Sequence, residues 1–169
     1  MATTSPVHGT VTTLTTLNTG LQSMAASSTL VAGFCSEVIT VTTPVMDVIV
    51  QGAIKAGTTP TSGNTSFVVY IIPEMNDSGG TFPSTVTTGA ATTFSTVDDR
   101  ANASYYASNA ICSSATTGVV YPIKPFSVAS VCMGWVPRRF CLFVAHNTTA
   151  ALSASGHNLE YYTVNLQTV

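Results

Sequence analysis

Two stretches limit what this chain can fold into more than any others: SFVVYIIP at residues 66–73 and RFCLFVAH at residues 139–146. Both are short, rich in β-branched and aromatic residues, and bounded by turn formers, which is the signature of strands. Side chains alternate across a strand, so Phe67, Val69 and Ile71 face one way and Val68, Tyr70 and Ile72 the other. In the second stretch Phe140, Leu142 and Val144 alternate with Cys141, Phe143 and Ala145. All four faces are apolar. An antiparallel strand in a two-layer monomer normally has one wet face. Leaving several large apolar side chains in water forfeits about 1.5–3 kcal/mol each. Either the chain's own arm and loops cover the second faces, or another subunit does. Val68, Tyr70, Ile72, Cys141 and Phe143 are therefore candidate interface residues, with Arg138 and Arg139 as the adjacent charged anchors.

The rest of the chain repeats the strand-and-turn pattern. Strands are expected at Glu37–Thr43, Met46–Lys55 and Phe67–Ile72, and then in VVYPI, FSVASVCM, RRFCLFVAH and LEYYTVNLQ. Gly, Pro, Asn and Ser clusters such as GTTPTSGN separate them. TTFSTV and NASYYAS are short strands or excursions within an irregular segment around residues 74–118. Leu21, Met24 and Ala25 stand at helical spacing, which predicts one short helix over Leu21–Ser28. Residues 1–20 are Thr-rich and read as an extended N-terminal arm, with residues 21–169 forming one domain. About eight strands with turns between them indicate an all-β antiparallel sandwich, and a jelly roll is the favoured closure. An immunoglobulin-like order uses the same elements.

Charged residues make up only 7% of the 169, and threonine and serine take their place. A surface this poor in charge has little colloidal repulsion, which favours a chain that lies within an assembly. With five Lys and Arg and a net charge of −2, the chain lacks the basic clusters that phosphate neutralisation or polybasic membrane attachment requires. No window approaches the roughly 18 apolar residues of a membrane helix. The start, MATTSPVHGTVTT, shows no basic and apolar leader, so synthesis in a host cytoplasm without a signal peptide is expected. On that footing Cys35, Cys112, Cys132 and Cys141 are expected as reduced thiols, and none has the CxxC spacing of a zinc site.

Catalytic patterns are sparse. Of seven carboxylates only Asp98 and Asp99 are adjacent, beside Arg100, in what reads as a solvated turn. No nucleophile elbow, phosphate loop or HExxH occurs. His146 and His157 each precede an asparagine and would meet across a hairpin, but no further ligand lies between them, so turn closure by hydrogen bonding is the expectation. Asp77-Ser78-Gly79-Gly80 offers one acidic residue, too few for calcium. The pairs Tyr105-Tyr106 and Tyr161-Tyr162 suit packing, or stacking on sugars. No cofactor, metal or catalytic residue is assigned.

The run DVIVQGAIKAGTTPTSGNTSFVVYIIPEMND, then PIKPFSVASV, then VPRRFCLFVAHNTTAALSASGHNLEYYTV resembles small structural proteins of tailed-bacteriophage virions. In that group a G-T-T-P-T-type turn leads into an apolar strand, and an F-V-x-H-N-T strand end runs on to a G-x-N turn. Here Thr149 stands where glycine is more usual. The resemblance runs from Leu21 to the end, apart from Gly79–Tyr121. It implies a jelly-roll virion protein of the capsid cement or decoration type, bound to the major capsid protein on the capsid exterior as a homo-oligomer, with a trimer as the precedent. The alternative is a tail or fibre module that binds a host receptor or glycan.

Overall fold

A computed structural model describes residues 4–42, 44–75 and 81–168. They form β1 (Thr4–His8), β2 (Thr12–Thr13), α1 (Thr15–Gly20), β3 (Ala32–Cys35), β4 (Ile39–Thr40), β5 (Val45–Lys55) and β6 (Ser66–Pro73). Then follow β7 (Ala91–Thr93), α2 (Val97–Ala103), β8 (Tyr105–Ile111), β9 (Val120–Ser127), α3 (Val128–Val131), β10 (Arg139–His146) and β11 (Asn158–Thr168). One sheet runs β1-β11-β5-β9, with β2 also on β11. The other runs β7-β3-β10-β6-β8, with β4 also on β10. Every pairing is antiparallel.

Leaving aside β2, β4 and β7, each of which spans three residues or fewer, the remaining strands pass back and forth between the sheets. Only the step from β6 to β8 stays within one. The two sheets therefore interleave as Greek keys, which is the jelly-roll arrangement. The expected all-β sandwich is what forms. The inter-sheet core takes Val48, Val50 and Ile54 from β5, Phe67, Val69 and Ile71 from β6, Phe140, Leu142 and Val144 from β10, and Leu159 from β11.

Several expectations change. The short helix is α1 at Thr15–Gly20, upstream of Leu21–Ser28, and it is one of three among the described residues. Its position is set by Glu37, whose carboxylate accepts from the backbone N–H groups of Thr16 (3.3 Å) and Leu17 (3.2 Å). Leu14, Leu17 and Leu21 are buried and close one edge of the core. Residues 4–20 are thus not a free arm: β1 pairs with β11 from Thr4↔Thr168 to His8↔Val164, and α1 packs on the sandwich. FSVASVCM is not a strand. Phe126 and Ser127 end β9, and Ser127 caps α3 by accepting from the Ser130 N–H (2.9 Å). Finally, β10 and β11 do not form a hairpin, because they belong to different sheets and residues 147–157 cross between the layers.

Candidate interaction surface

The second apolar faces of β6 and β10 are covered by the chain itself. Val68, Tyr70, Ile72, Cys141 and Phe143 are buried, together with Cys35, Phe94 and Ala145, in a cluster on the far side of the β-sheet from the main core. Leu30, Val31, Phe82, Val86 and Ala103 pack against it. The cover is made mostly by residues 81–104, the part of the chain whose pattern is least regular. Phe94 is its main anchor and meets Phe143 edge-on, with ring centroids 5.2 Å apart. These five residues are therefore not an exposed interface in the folded chain. Of the candidate set only the arginines reach solvent. Arg139 pairs with the Glu74 carboxylate at 3.6 Å, while Arg138 is exposed and has no ion pair among the described residues.

Arg138 follows a turn, Cys132–Pro137, between α3 and β10, whose residues 133–135 are exposed. The Gly134 N–H donates to the Ala129 carbonyl (2.7 Å) and the Cys132 N–H to the Val128 carbonyl (2.9 Å), which closes the helix end. Gly134 has φ +96°, and Met133 before it has φ +60°, a conformation unusual for a side chain with a Cβ. Buried Pro137 and half-buried Val136 fix the turn's base, and the Asp47 carboxylate holds α3 by accepting from the Ala129 N–H (2.9 Å). The result is a braced turn that presents Met133 (82% exposed) and the chain's single tryptophan, Trp135 (49% exposed), beside Arg138. Reading the sequence did not single out Trp135 or Met133. The available signal was a lone Trp set among Gly and Pro directly before the two arginines.

The histidines close loops. His146 is buried: its Nε2–H donates to the Met24 carbonyl (3.1 Å), and Nδ1 pairs with the Thr148 hydroxyl (2.9 Å). His157 donates from Nε2 to the Ser153 carbonyl (2.9 Å) and accepts at Nδ1 from the Lys55 N–H (3.3 Å). A carbonyl only accepts, so each ring carries a proton on Nε2, and in His157 the Nδ1 that accepts from the Lys55 N–H is unprotonated, which makes that ring neutral. Burial pushes both below the ordinary histidine range, and nearby Lys55 adds to the effect on His157.

Four of the six carboxylates of the described residues also have structural partners. Glu37 and Asp47 cap helices, Glu74 meets Arg139, and Glu160 accepts from the Gln51 amide (2.8 Å). Asp98 and Asp99 occupy the first turn of α2, where Thr96 caps by accepting from the Asp99 N–H (3.0 Å), so they mark a helix start. The Asp77–Gly80 stretch lies outside the described residues. Among the described residues no three His, Cys, Asp or Glu side chains gather as a metal site, and no helix is long and apolar enough to cross a membrane.

All four cysteines are free and buried. Cys141 hydrogen-bonds to Cys35, which lowers the Cys35 thiol and raises that of Cys141, while burial lifts Cys132 to about 11. The tyrosines do not form a two-ring platform: Tyr106 is exposed, Tyr105 is half-buried, and Tyr162 stacks on His8 with centroids 5.1 Å apart.

No protein-family model matches the chain, and comparison with curated proteins and with solved structures gave no match.

Proposed function

We propose that this protein is a non-enzymatic structural component of a bacteriophage virion, a cement protein that binds the major capsid protein on the outside of the shell. The observation that carries the reading is the braced turn with Met133, Trp135 and Arg138 on a charge-poor jelly roll. Trp, Met and Arg are the residues enriched at protein interfaces, and Trp and Arg dominate their energetics. The turn is closed by backbone hydrogen bonds at its start and by buried Pro137 at its end, which limits the conformational freedom lost on docking. A protein that binds only the assembled shell stabilises it by mass action, by about 2.7 kcal/mol per site at a hundred times its Kd. The jelly-roll strand order supports the same reading.

Quantitative densitometry of purified virions tests it. A cement protein is present in hundreds of copies per particle, and Trp135→Ala with Arg138→Ala lowers that occupancy. Full occupancy of the double variant would remove the turn from the interface. A second reading, a tail or fibre module for a host glycan, is favoured by the exposed Tyr106 ring. It requires a few to a few tens of copies and binding lost in Tyr106→Ala.

A further inference from the structure

The four outer edges of the two sheets are not protected alike. On β1, the Gly9 N–H donates to the Thr163 carbonyl (2.7 Å), and the register continues through Val7↔Asn165 and Pro6↔Leu166. Inward and outward groups alternate along an antiparallel strand, so Pro6 sits where an N–H would point away from β11. On β9, the Ala56 N–H donates to the Val119 carbonyl (2.9 Å) and Pro122 lies opposite Ala53. The same alternation puts Pro122 at an outward position. Proline at such positions removes the donor that a further strand would use. The third edge, β7, is only three residues long.

The fourth edge is β8, YYASNAI, with seven residues and no proline. The Cys112 N–H donates to the Thr65 carbonyl (2.9 Å), and Ser66↔Ile111 and Val68↔Asn109 follow in register. Cys112 and Ala110 therefore face β6, and the backbone groups of Asn109 and Ile111 point outward. β9 passes nearby but does not close this edge. The one hydrogen bond between β8 and β9 among the described residues is from the Ser108 hydroxyl to the Lys124 carbonyl (3.4 Å). A cleft of about 350 Å³ between the strands is lined by Asn109, Ile111, Pro122 and Lys124. Tyr106, Ile111 and neighbouring Val120 are 57%, 61% and 53% exposed.

We infer that the β8 edge pairs antiparallel with β8 of a second copy of this chain. The charge pattern fits that occupant: β8 itself carries no Lys, Arg, Asp or Glu, so the strand meets its own copy without opposing like charges, and Lys124, which lines the cleft from β9, is the one charged side chain beside it. Centring the two-fold axis on Ala110 places Asn109 opposite Ile111 twice. Each such pair exchanges two backbone hydrogen bonds, about four in all. Tyr106, Ile111 and Val120 come under cover in the same step. This deepens the proposed virion role by naming the surface through which copies meet, and it rests on that role only in treating the chain as one that assembles.

The test uses the purified chain without virions, so its outcome is separate from that of shell attachment. Light scattering after size exclusion at micromolar concentration is expected to give twice the 17.5 kDa chain mass. The Asn109 and Ile111 amides are expected to be protected from hydrogen exchange, and to lose that protection on dilution. Asn109→Pro removes one outward donor without touching the β6 ladder, and Ile111→Lys sets like charges across the axis. Both are expected to return the mass to that of one chain, with an unchanged circular dichroism spectrum for Ile111→Lys. A monomer with fast-exchanging Asn109 and Ile111 amides overturns the inference. So does a dimer indifferent to Ile111→Lys, or protection that survives in the monomer.

Discussion

The guanidinium of Arg100 lies 4.7 Å from the centroid of the Tyr70 ring. The same side chain donates from Nη1 to the carbonyls of Thr29 (3.1 Å) and Leu30 (2.8 Å). One residue of α2 thus fastens the cover to β6 and to the loop before β3. Its Nε is buried with no hydrogen-bond partner among the described residues, a local cost that the other contacts offset. Arg100→Ala is expected to destabilise the fold by about 1–2 kcal/mol, and Arg100→Lys to recover only part of that, because an ammonium lacks the planar fork. Urea unfolding measures the loss. Faster modification of Cys141 by a thiol reagent, located by mass spectrometry, would show that the cover loosens first.

Phe94 tests the same layer through packing. It is almost fully buried and meets Phe143 edge-on. Phe94→Ala removes a large ring from an enclosed cluster and is expected to cost about 3–5 kcal/mol. A loss below about 1 kcal/mol in equilibrium unfolding would mean that the cover does not seal β6 and β10 in solution.

Acid should weaken the end of the sandwich that His146 and His157 hold. Both are depressed by burial, and Lys55 is the cation facing His157. The unfolded chain therefore binds protons that the folded one refuses. Their contribution to stability is complete above the unfolded value of about 6.5 and is lost as pH falls through the lower folded values. Protonating His157 at Nδ1 also replaces the acceptor that faces the Lys55 N–H with a second donor. Urea midpoints measured from neutral to mildly acidic pH are expected to fall, and to fall less steeply in His157→Gln. An unchanged slope in that variant would deny His157 its share.

Glu37 caps α1 from across the sequence. Glu37→Gln keeps an acceptor but loses the charge at the helix start, and is expected to cost about 0.3–1 kcal/mol. Glu37→Ala is expected to cost about 0.5–2 kcal/mol. Hydrogen exchange at the Leu17 and Asn18 amides, faster in both variants, reads the fraying directly.

The strands that carry the core were legible because their alternation is strict: Val45–Lys55, Ser66–Pro73 and Arg139–His146 stand close to where the pattern puts them. The two-sided apolar character of β6 and β10 was equally visible, and so was the need for something to cover it. The identity of the cover was not. Residues 81–104 contribute scattered anchors, Phe82, Val86, Phe94 and Ala103, with no period to announce a layer. The α2 start had a local signal in Thr96-Val97-Asp98-Asp99, an N-cap followed by first-turn acids, which a turn reading passed over. For α1 there was no local cap to find, since its N-cap residue is Leu14, with no side-chain cap, and its carboxylate comes from Glu37.

What the sequence determined by itself was the material: strands with two apolar faces, turns at Gly, Pro and Asn, and a surface almost without charge. Those features are local, because side-chain alternation and turn geometry depend on neighbouring residues. Tertiary structure alone decided which apolar face met which layer, and it turned a candidate interface into a second core. It also left one strand edge without a paired strand among the described residues while proline blunted two others, since inward and outward hydrogen-bonding groups are defined only once a partner strand is chosen. Pro6 and Pro122 acquire their meaning from β11 and β5, and Asn109 from β6.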